Sequence, residues 1–392
     1  MKISDLRVAP TAMIKLQSPG MDSMHVVQSF RTSAIEIVTD EGITGIAPFG
    51  FYGFEATKAI IETELKPEIL GENPLDHERI WEKMYWQTVY YGRKGVAIYA
   101  MGVIDTAIWD LKGKILNVPC YRLLGGFGKR VPVYRTGFDF GLGQAELVKF
   151  HQSSVEKGFP AVKMKVGRRD DQEDIDRVKA VRDGIGFKTK LLVDANQGWS
   201  VSQAKRMARK LERFEVFWLE EPTLADNLDG LASIAEATEI PLALGEAEYT
   251  KFGFKELLQR KAVGVIIGDV PNVGGVTEWK KIAAMAQSYG IPVSPQNFDL
   301  CGASALASIP NGLYLEFQDV KPLDWSKSEI WQNQLLVQPT PKIEKGEIEL
   351  GEKPGFGWEL GSKAFSKKGS VQTEDEWVRH STTPPGLPRS KS

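Results

Sequence analysis

The stretch KLLVDANQGWSVSQAKRMARKLERFEVFWLEEP (190–222) contains two apolar runs with an amphipathic segment between them. The runs KLLVDAN and VFWLEEP have the length and composition of buried β-strands. Between them, VSQAKRMARKLERF places apolar residues three and four positions apart, which predicts an α-helix with one buried face. A strand, a helix and a second strand in this order predict a parallel βαβ unit.

The same alternation continues over residues 131–319. Short apolar runs recur as strand candidates, and a helical pattern lies between most of them. Eight such units over about 190 residues favour a (β/α)-type barrel over an open parallel sheet. The eight runs, in chain order, are VPVYRT, AVKMKV, KLLVDAN, VFWLEEP, PLALGEA, GVIIGDV, IPVSPQ and LYLEFQD.

The beginning of the chain has a different pattern. SAIEIVTDEGITGIAPFG (33–50) alternates apolar and polar residues around Asp40-Glu41-Gly42, which predicts a β-hairpin. The segments 55–70 and 95–117 have the apolar spacing of helices. We therefore expect an α+β domain over residues 1–125, a barrel over 126–345 and a polar, weakly ordered tail over 368–392.

Composition excludes several classes of function. The chain has 392 residues, 42% of them hydrophobic, and 49 basic against 51 acidic residues. A net charge of −2 does not suggest a nucleic acid or an anionic membrane as the partner, so a small substrate is the better expectation. The amino terminus lacks the apolar region of a signal peptide, and we expect a cytoplasmic protein. Cys120 and Cys301 are far apart and predict neither a disulfide nor a zinc site.

Charged residues follow the predicted strands where each strand ends. Lys163 and Lys165 end the second strand two positions apart, so they share one face. The next three strands end with Asp194, Glu220 and Glu246. The intervals from Asp194 to Glu220 and from Glu220 to Glu246 are both 26 residues. Because a barrel collects its catalytic groups at the carboxyl ends of its strands, we expect these carboxylates to converge.

Three clustered carboxylates repel one another unless a cation lies among them. Ligation by oxygen alone suits a hard divalent ion, with Mg²⁺ the first choice and Mn²⁺ the second. A carboxylate substrate held by such an ion loses the proton at its α carbon more easily, since the ion stabilises the enediolate that forms. A lysine whose pKa is lowered by the metal and by a neighbouring lysine can take that proton.

Several motifs resemble the mandelate racemase / muconate lactonizing branch of the enolase superfamily. The resemblance implies an α+β capping domain completed by about residues 346–367, a modified (β/α)7β barrel of the TIM type, and a site between them covered by cap loops. It also suggests symmetric assemblies of identical subunits. The motifs are VKMKVG (162–167), LLVDANQGW (191–199), WLEEPT (218–223), LGEAEY (244–249) and GDVPNVGGVTEW (268–279).

The resemblance also implies roles for single residues. Lys165 would be a base, and Lys163 would bind the substrate carboxylate and lower the pKa of Lys165. Glu316 matches a glutamate that helps stabilise the carboxylate as it becomes an enediolate. Asn196, which shares a strand face with Asp194, and Gln296 are expected to bind substrate. The Mg²⁺ ligands would be Asp194, Glu220 and Glu246.

One position departs from the family pattern. The racemase branch pairs an Asp on strand six with a His on strand seven; Asp269 is present, but VSPQNF (293–298) has Gln296 at the matching position. The four histidines are His25, His77, His151 and His380, so none lies near that strand end. Racemisation with two bases is therefore disfavoured, whereas β-elimination of water needs only one base and an acid.

The identity of that acid stays open at the level of sequence. The candidates are Lys165 itself, Asp269 acting directly or through Gln296, His25 in a cap loop, and Tyr90, Tyr91 and Arg93 in VYYGRKG. The leading hypothesis is a Mg²⁺-dependent dehydratase of a sugar acid. The alternatives are an epimerase, racemase or cycloisomerase of a carboxylic acid, and a homologue that binds carboxylates without turnover.

Overall fold

An antiparallel sheet with a group of helices comes first along the chain, and a ring of parallel strands surrounded by helices follows. The structure is a computed structural model. In the part of the chain that it describes, no helix is both long enough and apolar enough to cross a membrane. The described residues are 1–50, 53–296, 299–319, 336–337, 342–361, 364–365 and 377–379.

The first sheet is built around one long strand. Its strands are β1 (Ile3–Val8), β2 (Ala12–Met21), β3 (His25–Thr39) and β4 (Thr44–Gly50). The strands β1, β2 and β4 all pair antiparallel with β3. The turn between β3 and β4 contains Gly42 at φ 81°, a left-handed conformation that glycine adopts without strain. The hairpin predicted over 33–50 is confirmed.

Helices pack against this sheet, and we call the sheet and these helices together the cap. They are α1 (Phe54–Ala59), which continues as a π-helical turn (Ile60–Leu65), then α2 (Lys66–Ile69), α3 (His77–Thr88), α4 (Val96–Leu116) and α5 (Cys120–Leu123). Most of α4 is buried, and the carboxylate of Asp110 in this helix accepts the Ile46 N–H of β4 at 2.9 Å. The helices predicted over 55–70 and 95–117 are confirmed.

Parallel strands form the ring. They are β5 (Arg130–Thr136), β6 (Ala161–Lys165), β7 (Lys190–Asp194), β8 (Val216–Glu220), β9 (Leu242–Leu244), β10 (Val265–Ile266) and β11 (Leu315–Gln318). Each of β5 to β9 pairs with the next strand along the chain, and β11 pairs with β5. The side chains of Tyr134, Leu192 and Trp218 pack inside the ring. The predicted (β/α)7β barrel with an α+β cap is confirmed.

The seventh predicted strand, IPVSPQ (291–296), is only partly formed. Val293 makes isolated parallel bridges to Ile266 on one side and to Gly312 on the other, and these bridges close the ring between β10 and β11. Pro292 and Pro295 lack the N–H groups that a longer ladder would need. The prediction of a regular strand here is wrong for this reason, although its place in the ring is correct.

One helix follows each strand of the ring except the last, and the seventh helix follows Val293. Amphipathic patterns in the sequence account for these helices, which turn their apolar faces to the strands, except for the last, Leu300–Leu306, in which every residue is buried. Cys301, in the last of them, is a buried thiol, as is Cys120 in α5. The helices are α6 (Gln144–Glu156), α7 (Asp171–Ile185), α8 (Val201–Leu211), α9 (Leu228–Ala235), α10 (Thr250–Gln259), α11 (Val276–Ser288) and α12 (Leu300–Leu306).

The cap is fastened to the barrel where α4 meets the amino end of α11. The buried carboxylate of Asp105 in α4 accepts the Thr277 N–H at 2.8 Å and the Thr277 hydroxyl at 2.6 Å. The indole N–H of Trp81 donates to the carbonyl oxygen of Gly274 at 2.8 Å. Gly102 allows the two backbones to touch, because a Cβ at this position would overlap the carbonyl oxygen of Pro271.

The segments after the barrel return to both units. They include β12 (Leu336–Val337), β13 (Glu347–Glu349), β14 (Glu359–Leu360) and β15 (Trp377–Arg379). Strand β13 pairs with β5 of the barrel, whereas the Phe356 N–H donates to Asp110 of the cap at 2.8 Å. Strand β15 lies in the tail predicted to be weakly ordered, yet it pairs with β3. The rest of 368–392 lies outside the described residues.

The close contact at Gly102 leads to a stability prediction. We expect Gly102→Ala to lower the free energy of unfolding by about 1–3 kcal/mol, since overpacking outweighs the roughly 1 kcal/mol that alanine gains in a helix. Gly143→Ala is the matched control, because its Cβ would meet nothing within 4 Å. Denaturant unfolding of both variants measures the difference. Equal stabilities would show that the α4 contact is not tight.

Candidate active site

Three carboxylates meet at the carboxyl ends of neighbouring barrel strands. Asp194 is the last residue of β7 and is paired in register with Glu220, the last residue of β8. Glu246 follows β9 by two residues. One carboxylate oxygen from each residue lies within 4.8 Å of those from the other two. The convergence predicted from the equal spacing is therefore present in the structure.

Burial and mutual repulsion make this cluster a strong acceptor of positive charge. Burial, followed by the neighbouring Asp194, raises the pKa of Glu246 to about 6. Burial also raises the pKa of Glu220 well above its ordinary value, although Lys163 lowers it. Three oxygen donors without sulfur or imidazole match the preference of a hard divalent cation. The donor set thus fits the magnesium site that the sequence predicted.

Two buried lysines line the same mouth of the barrel. The Lys163 ammonium lies 2.7 Å from Glu220 Oε1 and 3.5 Å from Glu316 Oε2. The Lys165 ammonium lies 2.5 Å from Asp194 Oδ2. Alternate residues of a strand face the same way, so β6 directs both side chains to the triad. Each lysine therefore has a carboxylate partner in this arrangement.

The pKa of Lys165 reflects opposing influences. Burial lowers it and so does Lys163, but Asp194 and other carboxylates raise it, and the balance lies above the ordinary value. From the sequence, the prediction is that a metal ion and Lys163 both lower the pKa of Lys165. A divalent cation shared by the carboxylates would weaken their attraction for the ammonium group. A Lys165 amine that takes a proton at neutral pH would therefore require such a cation.

Side chains in the barrel core donate hydrogen bonds to the carboxylates of Glu220 and Glu316. The indole N–H of Trp218 donates to Glu220 Oε2 at 3.1 Å. The phenol of Tyr134 donates to Glu316 Oε2 at 3.0 Å, and the Lys163 ammonium lies 5.3 Å from the centre of the Tyr134 ring. These buried donors leave the carboxylates little freedom to rotate, because each has a fixed partner on its inner side.

Gln296 occupies the position where the sequence lacks the expected histidine. Its amide N–H donates to Glu220 Oε1 at 3.0 Å and to Glu246 Oε2 at 3.3 Å. Its side chain thus stabilises two carboxylates of the triad with a neutral donor. Asp269 lies in the same cavity and is 8% exposed. Asn297 is outside the described residues.

A cavity of about 170 Å³ lies above these groups, between the cap and the barrel. The cap contributes Asp22 and Tyr99, and the remaining wall comes mainly from strand ends of the barrel. Its lining includes both lysines and two of the five side chains that the sequence proposed for substrate contact, Asn196 and Gln296. Among the predicted residues, those that line the cavity are Lys163, Lys165, Asn196, Glu246, Asp269, Gln296 and Glu316.

Family models match most of the chain. The mandelate racemase / muconate lactonizing enzyme N-terminal domain matches residues 5–125, and the enolase C-terminal domain-like model matches residues 146–364. The chain belongs to the mandelate racemase / muconate lactonizing enzyme family. The two matched segments cover the cap and the barrel described above.

Relatives with named activities match most of this chain. Arabinonate dehydratase from Saccharolobus solfataricus is 33% identical over 341 residues, which cover 85% of this chain and 89% of that protein. The 3,6-anhydro-α-L-galactonate cycloisomerase from Streptomyces coelicolor is 36% identical over 309 residues, covering 77% and 85%. A crystal structure of a racemase from Streptomyces coelicolor with bound magnesium superposes with a TM-score of 0.84 at 32% identity, covering 91% and 97%.

Three of the residues predicted to bind substrate do not line the cavity of this family member. His25 begins β3, and its Nδ1 lies 3.3 Å from Asp22 Oδ2. Asp22 lines the cavity, whereas His25 does not. Tyr90 is fully exposed, and Arg93 lies beside it on a separate surface groove. Both belong to a loop that follows α3, and only its end, at Gly95, reaches the cavity.

Asp22 is a polar group of the cavity that was not predicted from the sequence. Asp22 accepts the backbone N–H groups of Met24 and His25 at 2.6 and 2.7 Å, which fixes the turn between β2 and β3. Burial raises the pKa of Asp22, but the hydrogen bond from His25 and the charge of Lys165 bring it below its ordinary value. The one feature of the sequence that could have indicated a role for Asp22 is its position between two strands of the cap.

We expect Mg²⁺ binding by this family member to weaken as the pH falls. Glu246 must lose its proton to ligate the ion, so the Kd rises about tenfold per pH unit below pH 6 and levels off above it. Calorimetric titration with MgCl₂ at pH 5 to 8 measures this. Glu246→Gln, the matched control, should bind weakly at every pH with a flatter profile. A Kd that is constant between pH 5 and 7 would contradict the assignment.

Proposed function

We propose that this protein is a sugar-acid dehydratase: it removes the proton α to the substrate carboxylate and eliminates the β-hydroxyl as water. One observation carries the proposal. The Lys165 ammonium contacts Asp194, whereas Gln296, at the position of the expected histidine, donates a neutral amide to Glu220 and Glu246. The described cavity lining therefore contains the Lys165 amine and no imidazole, which suits an elimination better than a racemisation.

Asp194, Glu220 and Glu246 would hold Mg²⁺, in keeping with the magnesium in the related racemase structure. When bound, the ion supplies positive charge that stabilises the enediolate form of the substrate carboxylate. Lys163, between Glu220 and Glu316, is placed to bind the same carboxylate. Mn²⁺ ligates through the same oxygen donors and is the second choice.

Lys165 carries the proton transfer. Its amine takes the α proton, and the electron pair of the broken C–H bond moves into the enediolate. The electrons then form a carbon–carbon double bond as the β C–O bond breaks, and the new ammonium of Lys165 protonates the departing hydroxyl on the same face. The enol that remains tautomerises to a 2-keto-3-deoxy acid. The single base thus acts twice, and water leaves.

The remaining polar lining fits a polyhydroxylated chain. Asn196 Oδ1 is buried and has no hydrogen-bond partner among the described residues, so it is available to a substrate hydroxyl. Tyr99 is less available, because its hydroxyl donates to the Gly50 carbonyl at 2.9 Å and accepts the Gly50 N–H at 3.0 Å. Tyr99 therefore holds the end of β4 beside the cavity, and other lining side chains would have to make the hydrogen bonds to the substrate.

Ring opening of an anhydro sugar acid is the second candidate, because the relative from Streptomyces coelicolor is a 3,6-anhydro-α-L-galactonate cycloisomerase. In such a substrate the β carbon carries a ring oxygen in place of a hydroxyl. The same Lys165 chemistry would expel that oxygen, which stays attached to the product. The two reactions differ only in whether the leaving oxygen is tethered, so mass analysis of the product separates them.

The proposal predicts a specific dependence on Lys165. In D₂O with Mg²⁺, the protein should convert a sugar acid from a panel of five- and six-carbon acids to a 2-keto acid. Lys165→Ala should lower kcat by at least about 10³-fold, because general acid–base catalysis is lost in both steps. Lys190→Ala, at the opposite end of the neighbouring strand, is the control and should retain kcat. Deuterium exchange at Cα without loss of water would favour an epimerase, and no exchange at all would favour a homologue that only binds carboxylates.

The charges in the cavity predict which acids are turned over. Within the described lining, the basic side chains are Lys163 and Lys165, both beside the triad, and the other ionisable side chains include the carboxyl groups of Asp22, Glu246, Asp269 and Glu316. A second carboxylate on the substrate would therefore lack a cationic partner there. We expect kcat/KM for galactonate to exceed that for galactarate by at least about tenfold, the equivalent of roughly 1.4 kcal/mol. A preference for the diacid would contradict this interpretation of the lining.

A further inference from the structure

The catalytic end of β6 extends beyond the strand beside it. β5 ends at Thr136, which pairs with Lys163, so the backbone of Lys165 lies past the last ladder position on that side. Asp139, three residues after β5 ends, replaces the missing strand: its Oδ1 accepts the Lys165 N–H at 2.8 Å. A side-chain carboxylate thus holds the backbone of the proposed base.

A buried histidine fixes that carboxylate in turn. His151 of α6 places Nε2 3.0 Å from Asp139 Oδ2, and the two side chains are 0% and 2% exposed. Because a carboxylate only accepts, the imidazole N–H is the donor. The guanidinium of Arg177 donates to the Asp139 carbonyl oxygen at 3.2 Å, so the backbone of Asp139 is held as well. The resulting chain of contacts runs from α6 through Asp139 to Lys165.

The same segment also receives the cap. The Met21 N–H donates to the Phe138 carbonyl at 3.1 Å, and the Phe140 N–H donates to the Met21 carbonyl at 3.2 Å. Met21 ends β2 and directly precedes Asp22, which lines the cavity. Asp139 therefore lies between the backbone of Lys165 and the cap loop that covers the substrate.

We propose that Asp139 and His151 are positioning residues for proton abstraction: together they hold the end of β6 so that the Lys165 amine meets the α carbon. The inference rests on the proposed role of Lys165 as the base. A displacement of about 1 Å in a catalytic group costs on the order of 100-fold in rate, which sets the size of the effect. Neither residue touches the substrate.

Two measurements on Asp139 variants test the inference. Asp139→Ala should lower kcat about 100-fold with KM changed less than about twofold, and should enlarge the kinetic isotope effect of α-deuterated substrate, since proton abstraction becomes slower. Its amide hydrogens over residues 161–167 should exchange faster. Asp139→Asn keeps an oxygen acceptor for the Lys165 N–H and should recover most of the rate.

His151 variants separate positioning from simple loss of packing. His151→Leu removes the donor to Asp139 and should lower kcat about tenfold, whereas His151→Gln keeps a donor and should restore it. The amide exchange over 161–167 should follow the same order. Equal rates for the leucine and glutamine variants would show that the imidazole does not act through Asp139.

Asp110→Ala is the matched control for a lost buried carboxylate. Asp110 is as buried as Asp139 and accepts two backbone N–H groups, but it lies inside the cap. It should lose comparable thermal stability without a change in the isotope effect. If Asp139→Ala loses no more kcat than Asp110→Ala, or its isotope effect stays the same, the inference is overturned while the proposed function stands. A wild-type protein without α-proton exchange would overturn both.

Discussion

The mutual repulsion of three buried carboxylates is the constraint on which the site depends. Asp194, Glu220 and Glu246 lie within 4.8 Å of one another at strand ends that the barrel places at one level. Burial raises the pKa of Glu220 and of Glu246, so an anionic cluster is costly without compensation. The surrounding groups are accordingly donors: two ammonium groups, the indole of Trp218 and the amide of Gln296. A divalent cation bound by the triad would complete the same compensation.

The barrel and the triad could be predicted from sequence because both follow from regular spacing. Alternating strand and helix patterns specify the ring, and carboxylates 26 residues apart recur once per βα unit. Groups that depend on irregular backbone could not be predicted in this way. Asp22 and Asp139 reach the site from loops. Asp139 bonds Lys165, 26 residues further along the chain, and the hydroxyl of Ser23, next to Asp22, donates to the carbonyl oxygen of Ala195 in the barrel. Tyr90 and Arg93 were expected at the cavity because their types suit a sugar acid, but residue type alone does not determine where a loop points.

Gln296 changes which reactions the site can perform. An amide neither takes nor gives a proton at neutral pH, so groups on its side of the triad cannot complete a two-base exchange through it. It still donates to Glu220 and Glu246, and so it takes part in neutralising the cluster. In the proposed mechanism, the neutral amide at this position leaves the carboxylate triad intact and leaves proton transfer to Lys165. Dehydration and tethered ring opening both satisfy that limit, since one base can abstract the proton and protonate the leaving oxygen.

The connection between chemistry and substrate recognition follows from the segment after β5. Phe138 and Phe140 bond the backbone of Met21 in the cap, while Asp139 between them bonds the backbone of Lys165 in the barrel. A cap loop that shifts to accommodate a different substrate would therefore pull on the residue that holds the base. In the proposed mechanism, a shift of the cap would therefore also displace the amine that takes the proton, and proton transfer tolerates little displacement. His151 of α6 holds the other carboxylate oxygen of Asp139.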